Sequence, residues 1–114
     1  MNGTRQHVRD ALAALRSLRV PVHLQGEPAG VPTGVEELVI LRYVVGTPNR
    51  DYEQAGAVVT VQVDTYGEHV EDAVDLAERA QAVMAAAGFL WRRERQAPAS
   101  STSTLNGWST DYER

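Results

Sequence analysis

The sequence contains no cysteine. Disulfides, thiolate nucleophiles and cysteine-ligated zinc are therefore excluded. An oxidising compartment is not excluded by this, only unused. Lysine is also missing, so all 11 basic residues are arginine. Set against 15 acidic residues they leave a net charge of −4, and no region is densely basic. A protein whose main work is gripping phosphates carries a stronger positive footprint. No apolar run approaches the ~20 residues that cross a bilayer. The first residues, Met1 to His7, lack the apolar core of a secretory leader. The expectation is a cytoplasmic protein with no membrane partner.

What is present argues for a folded domain. Apolar residues make up 43% of the chain, too many for wholesale disorder. A length of 114 residues predicts a single domain over 1–114. A domain of this size buries roughly two thirds of its unfolded surface, enough for one core. There is no internal repeat and no sustained low-complexity tract.

Residues 56–89 organise the rest. Val59, Val61 and Val63 alternate with Thr60, Gln62 and Asp64, the period of a half-buried strand. At Glu68 the period changes. Val70, Ala73, Val74, Ala77, Ala80, Met84 and Ala87 recur at helical spacing. Thr65 and Glu68 stand three apart at the junction, as a capping box requires. Gly88 supplies a residue able to close the helix in a left-handed conformation.

The flanking chain reads as follows. Residues 5–18 predict a helix with an apolar stripe of Val8, Ala11, Leu12, Leu15 and Leu18. Asn2 or Thr4 is the expected cap, and Pro21 the expected stop. Residues 20–24 suit a short strand, placed by Pro21 at a sheet edge or at the strand's start. Five glycines and prolines make 25–34 a loop. Residues 37–45 predict a strand whose run 38–45 is apolar on both faces except at Arg42, the pattern of a covered strand. A hairpin would join this strand to the next, yet its loop, 46–56, far exceeds the usual ~2–5 residues. Residues 89–95 and 104–112 complete the strands, with Trp108, Thr110 and Tyr112 sharing a face. Small polar residues around 97–103 form the connection between them. The predicted class is α+β: a mainly antiparallel four- to five-stranded sheet with two helices packed on one face.

Candidate chemistry is sparse. His69, Glu71 and Asp72 lie close together, but the helical i+4 partner of His69 is Ala73, which is no ligand. An acidic first turn that suits the helix dipole is the better reading. Glu71, Asp75 and Glu78 form a polar helix face, with Asp75 and Arg79 spaced as an i, i+4 ion pair. This face meets either solvent or a channel along which DNA slides. Arg92, Arg93 and Arg95 flank Trp91. Such a group stacks bases, blunts a strand edge by charge or meets an acidic patch on a neighbouring subunit. His7 and His23 have no triad partners in sequence, the serines form no nucleophile elbow, and no glycine loop cradles phosphate. No catalytic residue, metal ligand or cofactor site is expected, so the expectation is that the protein is not an enzyme.

The element order and several local strings resemble the tail terminator (tail-completion) proteins of long-tailed bacteriophages and tail-like particles. The strings are the strand 59–67, the helix 70–87 with Gly88-Phe89, the closing strand Gly107-Trp108-Ser109-Thr110-Asp111-Tyr112, and the leading helix 5–18. Together they cover about residues 5–112. The resemblance implies a virion structural protein that assembles, in the host cytoplasm, as a homo-oligomer, a hexameric ring. Its partners would be the major tail tube protein and the head–tail connector or stopper protein. DNA would only pass through the channel. The family brings no catalytic residues with it. A ring needs two different mating patches on each subunit. Arg50, Asp51, Tyr52 and Glu53 in the long loop are the first candidates for a subunit or tube interface, and Trp91, Arg92 and Arg93 the second. The alternatives are another head–tail neck component, such as a head-completion or stopper protein, and a small ligand-binding α+β domain.

Overall fold

The computed structural model describes residues 3–26, 34–44, 59–97 and 105–114. Seven elements follow in order: α1 (Gly3–Arg16), β1 (Val22–Leu24), β2 (Leu38–Val44), β3 (Thr60–Gly67), α2 (Val70–Ala86), β4 (Leu90–Ala97) and β5 (Asn106–Glu113). The strands form one five-stranded sheet in the order β1-β2-β3-β5-β4. Only β1 and β2 run parallel; the other neighbours are antiparallel. The class is α+β.

Both helices cover the same face. Ala11 and Leu15 of α1 and Leu76, Ala80 and Met84 of α2 share one buried cluster with Val39, Leu41, Val61, Val63 and Tyr112. The register explains why these residues meet. Leu41, Val63 and Thr110 stand in one cross-strand row, flanked by the row Val39, Thr65 and Trp108. Alternation then sends Ile40, Asp64 and Ser109 to the opposite face. A second, smaller apolar cluster sits there: Leu38, Ile40, Tyr66 and Leu105.

β5, last in sequence, inserts between β3 and β4. The unit β3-α2-β4 is thus a crossover whose two strands are separated by a third, a split βαβ arrangement. At the end of α2 the chain turns in a Schellman motif. Gly88 N–H donates to Ala85 O at 2.9 Å, Phe89 N–H donates to Met84 O at 3.0 Å, and Gly88 adopts φ +90°. Gly107 has a different reason to be glycine. It pairs with Tyr66 and Ala97, and a Cβ there would lie 2.6 Å from the Tyr66 ring and 2.8 Å from the Ala97 Cβ.

Several local expectations are corrected. The α2 cap is not built from Thr65 and Glu68. Thr65 is buried in β3, where its hydroxyl donates to Ala73 O at 2.8 Å. The helix begins later, and Asp72 accepts the His69 backbone N–H at 3.2 Å in the capping role. Thr4 falls within α1, and Asn2 lies outside the described residues. Pro21 does not stop α1. The helix ends at Arg16, tightened by Leu18 N–H to Leu15 O and Arg19 N–H to Arg16 O, and Arg19 takes a left-handed φ of 62°. That turn brings Leu18, Val20 and Val22 back onto the core. Arg79 pairs not with Asp75 but with Glu37 at 3.6 Å, and it donates to Leu18 O at 3.2 Å. It joins α2 to the neighbouring segments instead of bracing its own helix.

Candidate functional site

β4 forms one edge of the sheet, with every residue from Leu90 to Gln96 exposed. The sequence explains the exposure. Arg92, Arg93, Glu94, Arg95 and Gln96 keep the strand in water, so it can pair on one side only. Two large apolar side chains are nevertheless left out: Leu90 is 66% and Trp91 45% exposed. Trp91 is in register with Tyr112, on the helix side of the sheet where Phe89 is buried, but it stands half-exposed at the rim of that core.

A register shift between Trp91 and Arg93 makes Arg92 the extra residue of a β-bulge. The bulge sorts the arginines. Arg93 and Arg95 fall in register with Asp111 and Ser109, on the sheet face away from the helices. Arg93 Nε donates to Asp111 Oδ2 at 2.7 Å, and Arg95 reaches the same oxygen at 3.1 Å. Arg92 reaches Glu113 at 3.3 Å.

That face carries a charged network. The Asp64 side chain is only 3% exposed. It accepts from Arg42 Nε at 2.6 Å, Ser109 Oγ at 2.6 Å and Gln62 Nε2 at 2.9 Å. Arg95 also donates to Gln62 Oε1 at 3.1 Å, which joins the Asp64 and Asp111 groups into one chain across four strands. Asp64 raises the already high pKa of the Arg42 guanidinium, chiefly through their hydrogen bond. Burial, then the Asp64 carboxylate, holds the Tyr66 phenol above its ordinary range. Sequence reading placed Asp64 on a polar face without foreseeing its burial. The available signal was Arg42, a lone charge in an apolar strand, which requires a nearby carboxylate.

On the helix side, Glu71, Asp75 and Glu78 all lie on the exposed surface of α2. They are separated from the β4 arginines by the thickness of the helix layer and sheet. Arg50, Asp51, Tyr52 and Glu53 lie outside the described residues, as do most of the loop 25–34 and the connection 98–104.

Among the described residues, no group of three or more His, Asp or Glu side chains is placed to hold a metal ion. His23 is buried, and His7 meets the Phe89 ring edge-on at 6.2 Å. An open groove of about 530 Å³ runs between α1 and α2, lined mainly by Ala13, Ala14, Val83, Ala86 and Ala87. At its end Arg114 pairs with Asp10, donates to Ala87 O at 2.9 Å and stacks on Phe89 at 4.8 Å. No described helix is long and apolar enough to cross a membrane. No protein-family model matches the chain, and no curated protein matches it.

Proposed function

We propose that this chain is a non-catalytic, ring-forming structural subunit: a tail terminator protein that caps the tail tube of a long-tailed phage or tail-like particle. The observation that carries the reading is the edge strand β4, which presents Leu90 and Trp91 to solvent beside three arginines. Exposed aromatic and arginine side chains on a rigid element are the usual anchors of protein interfaces. The element order on which the resemblance rests also agrees with an α+β sheet covered by helices on one face. In this reading the ring ends tube polymerisation and offers its other face to the head connector, with DNA passing through the opening. The subunit assembles in the host cytoplasm and resides in the virion neck.

The test begins with native mass in solution, followed by negative-stain imaging of the assembled species and of isolated tube ends. Rings, or capture on tube ends, are expected. Particles made without the protein are expected to carry tails of uncontrolled length. Normal free tails with leaking heads would assign it to the head side of the neck instead. A strictly single chain that no tube end captures would end the proposal.

A further inference from the structure

The arginines of α1 are scattered in sequence but gathered in space. Arg5, Arg9 and Arg16 stand at i, i+4 and i+11, and eleven residues make close to three whole turns, so one stripe of the helix carries all three. The stripe is about 16 Å long at ~1.5 Å per residue. All three side chains are exposed, and so is Arg19 in the left-handed turn that follows. None of the four forms an ion pair with a described carboxylate, whereas Arg42, Arg79, Arg92, Arg93, Arg95 and Arg114 all do. The one carboxylate of α1, Asp10, lies about 120° round the helix from the stripe and is held by Arg114 and Gln6.

Three features of the stripe select its partner. Ala11 and Leu15 are fully buried, so the stripe sits on a helix fixed to the core. The exposed large apolar side chains, Val70, Leu90 and Trp91, all lie on other elements. A protein partner would need a desolvated apolar centre beside the arginines. A lipid surface would need an apolar helix face to insert, and α1 has turned that face onto the sheet. What remains is a line of cations with no counter-charge of its own, the footprint that fits the phosphates of a nucleic-acid backbone. Glu71, Asp75 and Glu78 on the exposed surface of α2 repel the same phosphates, which sets the side that turns toward them.

We infer that the α1 stripe, Arg5, Arg9 and Arg16 with Arg19 beyond it, is a contact site for a nucleic-acid backbone, weak and indifferent to sequence. Four contacts on a chain of net charge −4 keep it weak, as suits a duplex that slides past. The surface is complete on one chain, so the inference goes beyond the ring reading and holds or fails without it. In a ring around DNA, α1 and not α2 faces the opening.

The experiment titrates the full chain onto a short fluorescein-labelled DNA duplex and follows anisotropy. Four phosphate contacts predict a slope of log K against log salt of about −3.6, roughly a 100-fold loss between ~50 and ~200 mM salt. Arg9→Gln with Arg16→Gln is expected to halve that slope to about −1.8 and to weaken binding by roughly tenfold or more at the lower salt. Arg9→Lys with Arg16→Lys is expected to keep both, since lysine serves a phosphate as a point charge. Both positions are exposed, so circular dichroism and thermal melts should match the parent. No binding by the parent at low salt, full binding by the glutamine variant, or a preference for phosphatidylserine vesicles over the duplex would overturn the inference. Native mass of the same samples separates it from the ring reading. Binding by a chain that never assembles keeps the stripe and ends the ring; rings that ignore the duplex do the opposite.

Discussion

Asp64 shows how a single side chain is held by several neighbours at once. Its carboxylate is nearly sealed from water, yet Arg42, Ser109 and Gln62 all donate to it. Removing one partner of a buried pair leaves the other charge uncompensated, which typically costs 3–5 kcal/mol. Asp64→Ala is therefore expected to lower stability by about 3 kcal/mol in urea denaturation. Arg93→Ala is expected to cost under about 1 kcal/mol, because its side chain is 73% exposed and Arg95 still serves Asp111. Equal losses from the two substitutions would contradict the network as drawn. Asp10 supplies a pH test. The Arg114 hydrogen bond, then that from Gln6, holds its carboxyl below the usual range. A depressed folded pKa contributes stability above the unfolded pKa, which fades as pH falls through the folded value. Acid titration of the parent should thus show a stability loss beginning near the ordinary aspartate range and continuing below it. Asp10→Asn should remove that part of the slope.

At the scale of elements, the junctions are the sensitive points. Gly88 sits at φ +90°, a conformation that costs a side chain roughly 1 kcal/mol or more. Gly88→Ala is expected to lower the thermal midpoint while leaving the helical signal of α2 in place. Gly107→Ala should destabilise by about 1–3 kcal/mol, because the new methyl must displace the Tyr66 ring and the Ala97 side chain together. Adding Tyr66→Leu should recover part of the loss by making room, a coupling that separate-site additivity forbids. The strand-to-helix run from Val59 to Ala87 was readable because its period changes from two to 3.6 at one place. The cap lies four residues later than the spacing of Thr65 and Glu68 predicts, with His69 at the N-cap and Asp72 three residues on. The spacing of Thr65 fits, but its hydroxyl is taken by Ala73 O inside the core.

For the whole molecule, the consequence concerns association. If charged side chains align the copies of the proposed ring, raising ionic strength should weaken assembly, because the screening length shortens from about 10 Å at 0.1 M salt to about 3 Å at 1 M. The apolar share contributed by Leu90 and Trp91 is not screened. Sedimentation across a salt series is expected to show assembly that declines with salt in the parent. Assembly indifferent to salt in the parent would mean that charge does not align the contact.

Read alone, the sequence determined the class of fold, both helices and the left-handed close of α2 at Gly88. It also determined the antiparallel pairing of the strands around residues 38–44 and 60–67. The elements and the close at Gly88 are matters of local period and of glycine's conformational freedom, and the pairing follows from two strong strands that are consecutive in sequence despite the long connection between them. Only the tertiary structure decided that β5 lies between β3 and β4, that β1 runs parallel to β2, and that Asp64 and Asp111 are buried among arginines. Those outcomes depend on which distant strands share their backbone hydrogen bonds, and on which face each register turns toward the helices. No spacing within a single segment carries that information.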